Sequence, residues 1–234
     1  MIKTHEFNTQ WWGKPIGIVT DHDFFHLPEQ EQARHLEPFE WVEFRMPLEN
    51  APVALASIHR SGFFQVDTQI NYRLGLRNLL NPPSLAELEV EFADEVPFEI
   101  AADAVKSFDH ERFFRLPGIT PERANQRYAL WSAEHIPNHP RTSLRILYKG
   151  HVEGWYLADD TAGAGLNLTL GMLSKDSSIS GLLVFLKAYH AFAGRGYRMG
   201  WASFSVNNTA VHNIYVAVGA HFLSPVGYWL WLRD

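Results

Sequence analysis

The sequence predicts an α/β (α+β) protein with a mixed central sheet flanked by helices. Its second half carries the clearest order of elements: two helices, three strands, a helix, a strand, a helix and a last strand. The first half adds a unit of strand, helix, glycine and strand. Because strands and helices follow one another in this way, helices are expected to cover the faces of a sheet.

Composition excludes several classes of function. The chain has 234 residues, of which 46% are hydrophobic, enough for one large domain or two small ones. A formal charge of −6 without a long Lys/Arg cluster argues against a nucleic-acid partner. The absence of cysteine excludes disulfides, thiolate nucleophiles and cysteine-based zinc sites. Without an apolar run of about 20 residues or a signal-peptide core, we expect no membrane partner and a cytoplasmic location.

Period-two alternation and turn residues divide the first half of the chain. Residues 21–32 are polar and rich in turn formers, and residues 51–60 are expected to form a helix that ends at Ser61-Gly62. Strands are expected at residues 15–20, 40–46, 64–74 and 87–92. The last of these strands lies within an acidic, proline-bearing segment, residues 81–99, that is typical of a linker. A domain boundary is placed near Pro97, which gives domains of residues 1–97 and 98–234.

The second half is expected to begin with helices at residues 101–114 and 121–135, the latter opening with Pro121 after Thr120. Lys149-Gly150 is typical of the tight turn in a β-hairpin. The remaining expected elements are strands at residues 143–148, 151–158, 166–174, 197–206 and 226–232, and a helix from residue 180 or 181 to residue 193.

The segment from Asn208 to Gly219 predicts a capped helix. Asn208 or Thr209 supplies a side-chain oxygen for the first turn, and Gly219 supplies the left-handed residue at the end. Spacing of i, i+3, i+4 and i+7 puts four side chains on one apolar face: Val211, Ile214, Tyr215 and Val218.

This helix and the glycine and Phe222 that follow it resemble the C-terminal motif of the GNAT acyltransferase superfamily. Further fragments resemble the sugar-nucleotide N-acetyltransferases of the TDP-fucosamine acetyltransferase type. These fragments are residues 6–17 with Trp11-Trp12, residues 39–76 with the run from Gly62 to Thr68, Arg112-Phe113-Phe114, and residues 123–131 with Tyr128 and Trp131. Together the fragments cover most of the chain.

The resemblance implies a GNAT fold, with an incomplete GNAT-like half at residues 1–97 and an acyltransferase domain at residues 98–234. It implies that the acetyl group of acetyl-CoA moves to the amine of a nucleotide-linked amino sugar by direct attack. Tyr215 would then be the catalytic general acid, because tyrosine in that family lies beside the sulfur of acetyl-CoA. A homodimer is also expected from the family and from the aromatic last strand.

The resemblance also implies a set of cofactor-binding residues. Leu173 and Ser174 would offer backbone groups to the pantetheine arm. The other candidates are Ser178, Ile179, Ser180, Gly181 and Asn208. The family's pyrophosphate loop reads R/Q-x-x-G-x-G/A, whereas residues 176–181 of this chain retain only the last glycine and place Asp176 where a cation is usual. Glycine lets a phosphate approach the backbone closely, so this loop departs from the pattern.

Other interpretations stay open. Tyr215 also fits a core position, and Asn208 also fits a plain helix cap. The acceptor could be another small amine. A third alternative is a non-catalytic binding module, in which tryptophan side chains form an aromatic surface for sugar rings or a partner protein: Trp11, Trp12, Trp155, Trp229 and Trp231. For Trp229 and Trp231, which share one sheet face, core packing or a subunit interface is the ordinary explanation.

No metal site is expected. His22 and His26 are four residues apart, but Pro28 and the turn-rich context disfavour a regular helix there. Pro137 interrupts the spacing of His135 and His139, which favours a solvated loop. Glu134 and His135 are candidates for a general base or a substrate contact, with an exposed helix end as the simpler interpretation.

Overall fold

The computed structural model describes residues 1–106, 112–161 and 163–233. Within them lie ten β-strands: β1 (Ile2–Thr4), β2 (Ile16–Val19), β3 (Trp41–Pro47), β4 (Phe64–Gly75), β5 (Leu88–Phe92), β6 (Ser143–Tyr148), β7 (His151–Thr161), β8 (Gly165–Leu173), β9 (Met199–Ser205) and β10 (His221–Leu232). The α-helices in the same residues are α1 (Glu6–Trp12), α2 (Glu29–Leu36), α3 (Leu55–Arg60), α4 (Pro121–Asn138), α5 (Gly181–Gly194) and α6 (Thr209–Ala217). Short 3₁₀ helices connect several of these elements.

The chain forms two compact units. The first contains Met1–Ile70, Ser205–Asn207 and Ser224–Asp234, and the second contains Asn71–Phe204 and Asn208–Leu223. These units divide after Ile70, whereas the sequence placed a boundary near Pro97. The assignment of residues 1–97 to an incomplete GNAT-like half stays a prediction.

The first unit has a mixed sheet with the strand order β1, β2, β3, β10. β2 and β3 are parallel, while β1 with β2 and β3 with β10 are antiparallel. Aromatic rings fill its core, where Phe44 lies 4.5 Å from Phe25 and 5.7 Å from Trp229 between ring centroids. A dense aromatic core of this kind stabilises a small unit through buried apolar area.

The second unit has a mixed sheet with the strand order β9, β8, β7, β6, β5. The four strands from β5 to β8 are antiparallel, and β8 and β9 are parallel. Successive residues of a strand point to opposite faces of the sheet, so apolar side chains lie on both faces and helices cover each of them. Trp155 and Leu157 of β7 pack with Ile136 of α4, and Tyr156 packs with Phe185 of α5. This mixed sheet flanked by helices confirms the predicted fold class.

The hairpin and the last helix form as their sequences predict. Lys149 and Gly150 have φ values of 51° and 78°, both left-handed as a two-residue hairpin turn of type I′ requires. In α6, Asn208 Oδ1 accepts a hydrogen bond from Val211 N at 3.1 Å. Gly219 has φ of 73° just after the helix end, so the predicted cap and stop are confirmed.

Three expectations for local structure are wrong, two of them in the first unit and one at residues 101–114. The polar segment 21–32 contains a 3₁₀ helix (His22–His26) and the start of α2. The buried positions of α2 are Gln32 and Leu36. Because one of them is polar, the sequence does not show the apolar spacing that predicts a helix. The helix expected at residues 51–60 begins only at Leu55, because residues 51–54 form a bend in which Val53 is buried.

The helix expected at residues 101–114 does not form over its described part. Residues 107–111 lie outside the described residues, and the flanks are short 3₁₀ helices, Ala102–Ala104 and Arg112–Arg115. The backbone after Ala104 pairs with the sheet instead, through a bridge between Val105 and Ser174. A backbone amide cannot serve a helix and a sheet together, so the helix stops there. Among the described residues, no helix is both long enough and apolar enough to cross a membrane.

Candidate functional site

The second unit contains two parallel strands that diverge. β8 and β9 pair over three residues, from Gly165 with Met199 to Asn167 with Trp201. β8 continues to Leu173, yet the described residues form no further pair between the two strands. The divergence leaves a wedge at the carboxyl ends of the strands, the edge at which parallel strands commonly meet a ligand.

Tyr215, the predicted general acid, lies on α6 in a buried aromatic cluster. Its side chain is 5% exposed. The ring lies 4.1 Å from that of Tyr72, 5.0 Å from that of Phe204 and 6.0 Å from that of Phe185, measured between centroids. The apolar face predicted for α6 is therefore confirmed at Tyr215. The same contacts show that this side chain is also a core residue.

Four tyrosines share this cluster: Tyr72, Tyr156, Tyr189 and Tyr215. The hydroxyls of Tyr156 and Tyr189 are 3.0 Å apart. Burial raises the pKa of Tyr215, and the polar hydroxyls of the neighbouring tyrosines offset only part of that rise. Burial also raises the pKa of the other three hydroxyls well above the ordinary 10.0. All four tyrosines are consequently protonated at neutral pH, and each hydroxyl is a proton donor rather than a base.

The predicted phosphate loop holds the carboxylate of Glu153. Ser178 donates to it from its backbone N at 2.6 Å and from its hydroxyl at 2.7 Å. The Ser177 hydroxyl donates at 2.9 Å, and the backbone N of Ile179 donates at 3.3 Å. Glu153 lies on β7 and is 2% exposed. Successive amides and hydroxyls at the start of a helix form an anion site, and here a side chain of the same chain is the anion.

The hydrogen bonds of the loop stabilise the charged form of Glu153. Burial alone would raise its pKa, but the bonds from Ser178, Ser177 and Ile179 together lower the pKa below its ordinary value of 4.5. The carboxylate is therefore ionised at neutral pH. It places a buried negative charge in the loop where the resemblance implies a diphosphate.

The backbone groups expected to meet the pantetheine arm also have partners within the chain. Ser174 N donates to Glu153 O on β7 at 2.9 Å. The backbone groups of the two adjacent residues point to the opposite edge of the strand. Leu173 O accepts a hydrogen bond from Lys106 N at 3.0 Å, and Lys175 N donates one to Ala104 O at 2.8 Å. The segment that replaced the expected helix thus pairs with the end of β8.

These residues do not fit a diphosphate in the conformation described. Its donors are bound to Glu153, the adjacent Asp176 adds a second negative charge, and Lys175 is the cation nearest in sequence. A diphosphate entering the loop would have to displace the carboxylate from the same amides and hydroxyls. Two anions sharing one set of donors repel each other strongly in a partly buried site.

The remaining predicted cofactor residues lie at the starts of helices α5 and α6. Ser180 precedes α5 and makes no side-chain capping bond, and Gly181 begins the helix. A Cβ on Gly181 would lie 3.4 Å from Ile214 Cδ1, so the start of α5 packs on α6. Asn208 uses its side-chain oxygen as the cap of α6. Its role as a cofactor ligand stays a prediction.

The interpretation of His135 and His139 as a solvated loop is wrong. Helix α4 continues through Pro137 to Asn138, so the two histidines keep helical spacing. His135 is 7% exposed and is not an exposed helix end, whereas Glu134 is exposed. The expected lack of a metal site at His22 stays a prediction; its ring lies 5.8 Å from that of Phe44 in an edge contact.

The tryptophans do not line a common surface. Trp11, Trp155 and Trp229 are buried, and Trp12 and Trp231 are half-buried. Trp231 packs against the core of the first unit and lies 3.1 Å from the position of a Cβ on Gly62. Core packing, the ordinary explanation, accounts for Trp229 and Trp231.

Sequence reasoning missed Glu153, although one signal pointed to it. In the sequence, period-two alternation along β7 would put Glu153 in line with Trp155 and Leu157, which are buried. In the structure a register shift against β6 interrupts the alternation at Glu153, which turns to the loop before α5. A carboxylate in line with buried apolar residues is expected to have a specific partner. The partner itself could not be inferred, because the loop is about 25 residues away in sequence and its contact is tertiary.

Comparisons with known proteins identify the fold. No family model matches the chain, and no curated protein sequence is significantly similar to it. Among solved structures, a GCN5-related N-acetyltransferase from Sphaerobacter thermophilus matches 98% of this chain and 75% of its own, with a TM-score of 0.55 and 14% identity. A tandem GNAT protein from the clavulanic acid biosynthesis pathway matches 95% of this chain and 77% of its own, with a TM-score of 0.52 and 12% identity.

A third structure is a GCN5-related glucosamine N-acetyltransferase region of a fungal multi-domain β-N-acetylglucosaminidase. It matches 93% of this chain and 30% of its own length, with a TM-score of 0.61 and 10% identity. Identities this low establish the fold and not the activity. The chain has the fold of the GCN5-related N-acetyltransferases, as its sequence resemblance predicted.

Proposed function

We propose that this protein is an N-acyltransferase that moves an acyl group from an acyl-CoA to an amine. The observation that carries the proposal is the joint arrangement of diverging strands β8 and β9 and a protonated tyrosine on the following helix α6. The fold supports it, because the structural neighbours are named as N-acetyltransferases. Tyr215 is the proposed general acid, since its hydroxyl keeps its proton over the neutral pH range.

Acetyl-CoA is the proposed donor, and the amine of a nucleotide-linked amino sugar is the proposed acceptor. The sequence fragments around Trp11-Trp12 and Gly62 to Thr68 support the sugar class. One structural neighbour is named as a glucosamine N-acetyltransferase region, which agrees with an amino-sugar acceptor. Another small amine remains the alternative acceptor within the same reaction class.

The contacts of the loop that would bind the acyl donor favour a second candidate function for the protein. Because Glu153 satisfies the donors of the loop, the chain could be a GNAT-fold binding module that does not use acyl-CoA. The two candidates differ in one respect. The enzyme must release Glu153 from Ser178 and Ile179 when the diphosphate binds, whereas the binding module keeps the contact permanently.

A transfer assay tests the proposed enzyme. Purified protein is incubated with acetyl-CoA and a panel of nucleotide-linked amino sugars and simple amines, and N-acetylated products are detected by mass spectrometry. We expect product with at least one amino sugar and saturation in both substrates. Acetylation of simple amines alone would move the acceptor to the alternative class. No product with any amine, together with no thermal shift by acetyl-CoA, would favour the binding module.

A further inference from the structure

Three metal-ligating side chains meet in the second unit, and none of them belongs to the loop at residues 176–181 or to the tyrosine cluster. Helix α4 carries His135 and the residue after its end is His139, while β7 carries Asp159. One ligand atom of each lies within 4.8 Å of the others. The distance from His135 Nδ1 to Asp159 Oδ1 is 3.4 Å, and from His139 Nε2 to the same oxygen it is 3.7 Å.

The two imidazoles are held in a column of rings. The ring of His135 stacks on that of Trp131 with centroids 4.4 Å apart, and the ring of His139 stacks on that of His135 at 4.6 Å. Residues four apart on a helix lie one above another, so the spacing Trp131, His135, His139 produces this column. The stack fixes the ring planes and turns one nitrogen of each histidine towards Asp159.

The carboxylate of Asp159 is oriented by its second oxygen. Oδ2 accepts from the side-chain amide of Asn167 at 3.2 Å and from the hydroxyl of Thr169 at 3.1 Å, both on β8. Oδ1 is left facing the two histidines. Support of this kind, in which neighbours hold one carboxylate oxygen so that the other is presented, is what metal sites use to fix their ligands.

The separations suit a shared cation better than direct hydrogen bonds. Hydrogen bonds from nitrogen to oxygen span about 2.7 to 3.2 Å, and the distances of 3.4 Å and 3.7 Å exceed that range. Ligand atoms at about 2.0 to 2.2 Å from a tetrahedral zinc ion are roughly 3.3 to 3.5 Å from one another. The His135 distance of 3.4 Å falls in this range, and the His139 distance of 3.7 Å lies just above it.

Exposure leaves room for a fourth ligand. The side chain of His135 is 6% exposed, whereas those of His139 and Asp159 are 37% and 31% exposed. One side of the group is therefore closed by protein and the other is open to water. Three protein ligands with a water in the last position is a common arrangement for zinc.

We propose that His135, His139 and Asp159 form a binding site for one divalent transition-metal ion of the zinc type. Two imidazole nitrogens and one carboxylate oxygen favour Zn²⁺ or Co²⁺ over Mg²⁺ or Ca²⁺, which prefer oxygen ligands. The site ties the end of α4 to β7. It is independent of the proposed acyl transfer, because none of its residues contacts the loop or Tyr215 cluster through the contacts described above.

The test is a calorimetric titration of chelator-treated full-length protein with Zn²⁺, repeated with Co²⁺ while the visible absorption is recorded. We expect one ion per chain, a higher melting temperature with Zn²⁺ and an intense cobalt spectrum of tetrahedral type. Asp159→Asn and His139→Gln should lose the binding, while His151→Gln, a change at an exposed histidine of β7, should keep it.

A milder substitution keeps the proposal testable if the ligand variants fail to fold. Thr169→Val removes one bond to Asp159 Oδ2 and should weaken Zn²⁺ binding roughly 10-fold with the stoichiometry unchanged. Absence of binding at millimolar Zn²⁺ to the folded protein would overturn the proposal. Binding that Asp159→Asn and His139→Gln leave intact would overturn it as well, since the ion would then be held elsewhere.

Discussion

At the residue scale, two buried ionisable side chains dominate the candidate site in opposite ways. Burial among other tyrosines raises the pKa of Tyr215 above an ordinary value at which tyrosine is already neutral, whereas the amides and hydroxyls of the loop lower the pKa of Glu153 and favour its charged form. The sequence identified Tyr215 from helical spacing and family resemblance. It could not identify the contact between Glu153 and Ser178, because that contact depends on how β7 and the loop come together.

Replacement of Tyr215 by phenylalanine separates its catalytic role from its packing role. The proposed role predicts that Tyr215→Phe lowers turnover by about 10- to 100-fold with little change in acetyl-CoA affinity, since a general acid acts in the transition state. Steady-state kinetics and calorimetry measure the two quantities. Tyr189→Phe is the matched control, because it removes a hydroxyl from the same cluster and should leave turnover within a few-fold of wild type.

If the two variants lose turnover equally, Tyr215 is a packing residue. The same conclusion follows if Tyr215→Phe loses acetyl-CoA affinity and turnover in parallel, because the hydroxyl would then not act specifically in the transition state.

Acid titration tests the hydrogen bonds to Glu153. The pKa of Glu153 is lower in the folded protein than its ordinary 4.5, so its ionised form stabilises the folded state above that pH. The contribution is lost as the pH falls through the lowered folded value. We therefore expect the difference in unfolding free energy between wild type and Glu153→Gln to stay constant near neutral pH and to shrink in acid. Urea unfolding at several pH values measures it, and a difference that grows in acid would contradict the assignment.

At the element scale, regular patterns were predicted well and polar or interrupted ones were not. The alternation around Lys149-Gly150 predicted the hairpin of β6 and β7, and the cap and apolar face predicted α6. Helix α2 was missed because one of its buried positions is the polar Gln32. The expected helix after Ala101 failed because Val105 bridges to Ser174, a tertiary contact that local propensity does not encode.

The cap of α6 gives a test at this scale. Asn208→Ala removes the acceptor for Val211 N and should lower the unfolding free energy by about 1 kcal/mol. Asn207→Ala, at the exposed neighbouring position, should have a smaller effect. Chemical denaturation measures both. Unchanged stability in Asn208→Ala, with weaker acetyl-CoA binding, would instead make Asn208 a cofactor ligand.

At the scale of the whole molecule, the sequence predicted the fold class and the order of elements. It did so because the apolar periods of β6 to β9 and α4 to α6 are strong and their turns are marked by glycine or proline. The division into compact units could not be predicted from the sequence. Residues 224–234 join the first unit although they come from the other end of the chain, and no local pattern predicts such a return.

The central claim is that Glu153 and the diphosphate of an acyl-CoA compete for the donors of one loop. The most direct measurement is calorimetric titration of acetyl-CoA into wild type, Glu153→Gln and Glu89→Gln, the last being the same change at an exposed position of β5. We expect saturable binding to wild type, binding at least about 10-fold tighter to Glu153→Gln, and no change for Glu89→Gln, because only the buried carboxylate repels the ligand. Equal affinity of wild type and Glu153→Gln, or no binding by any of the three, would contradict the account.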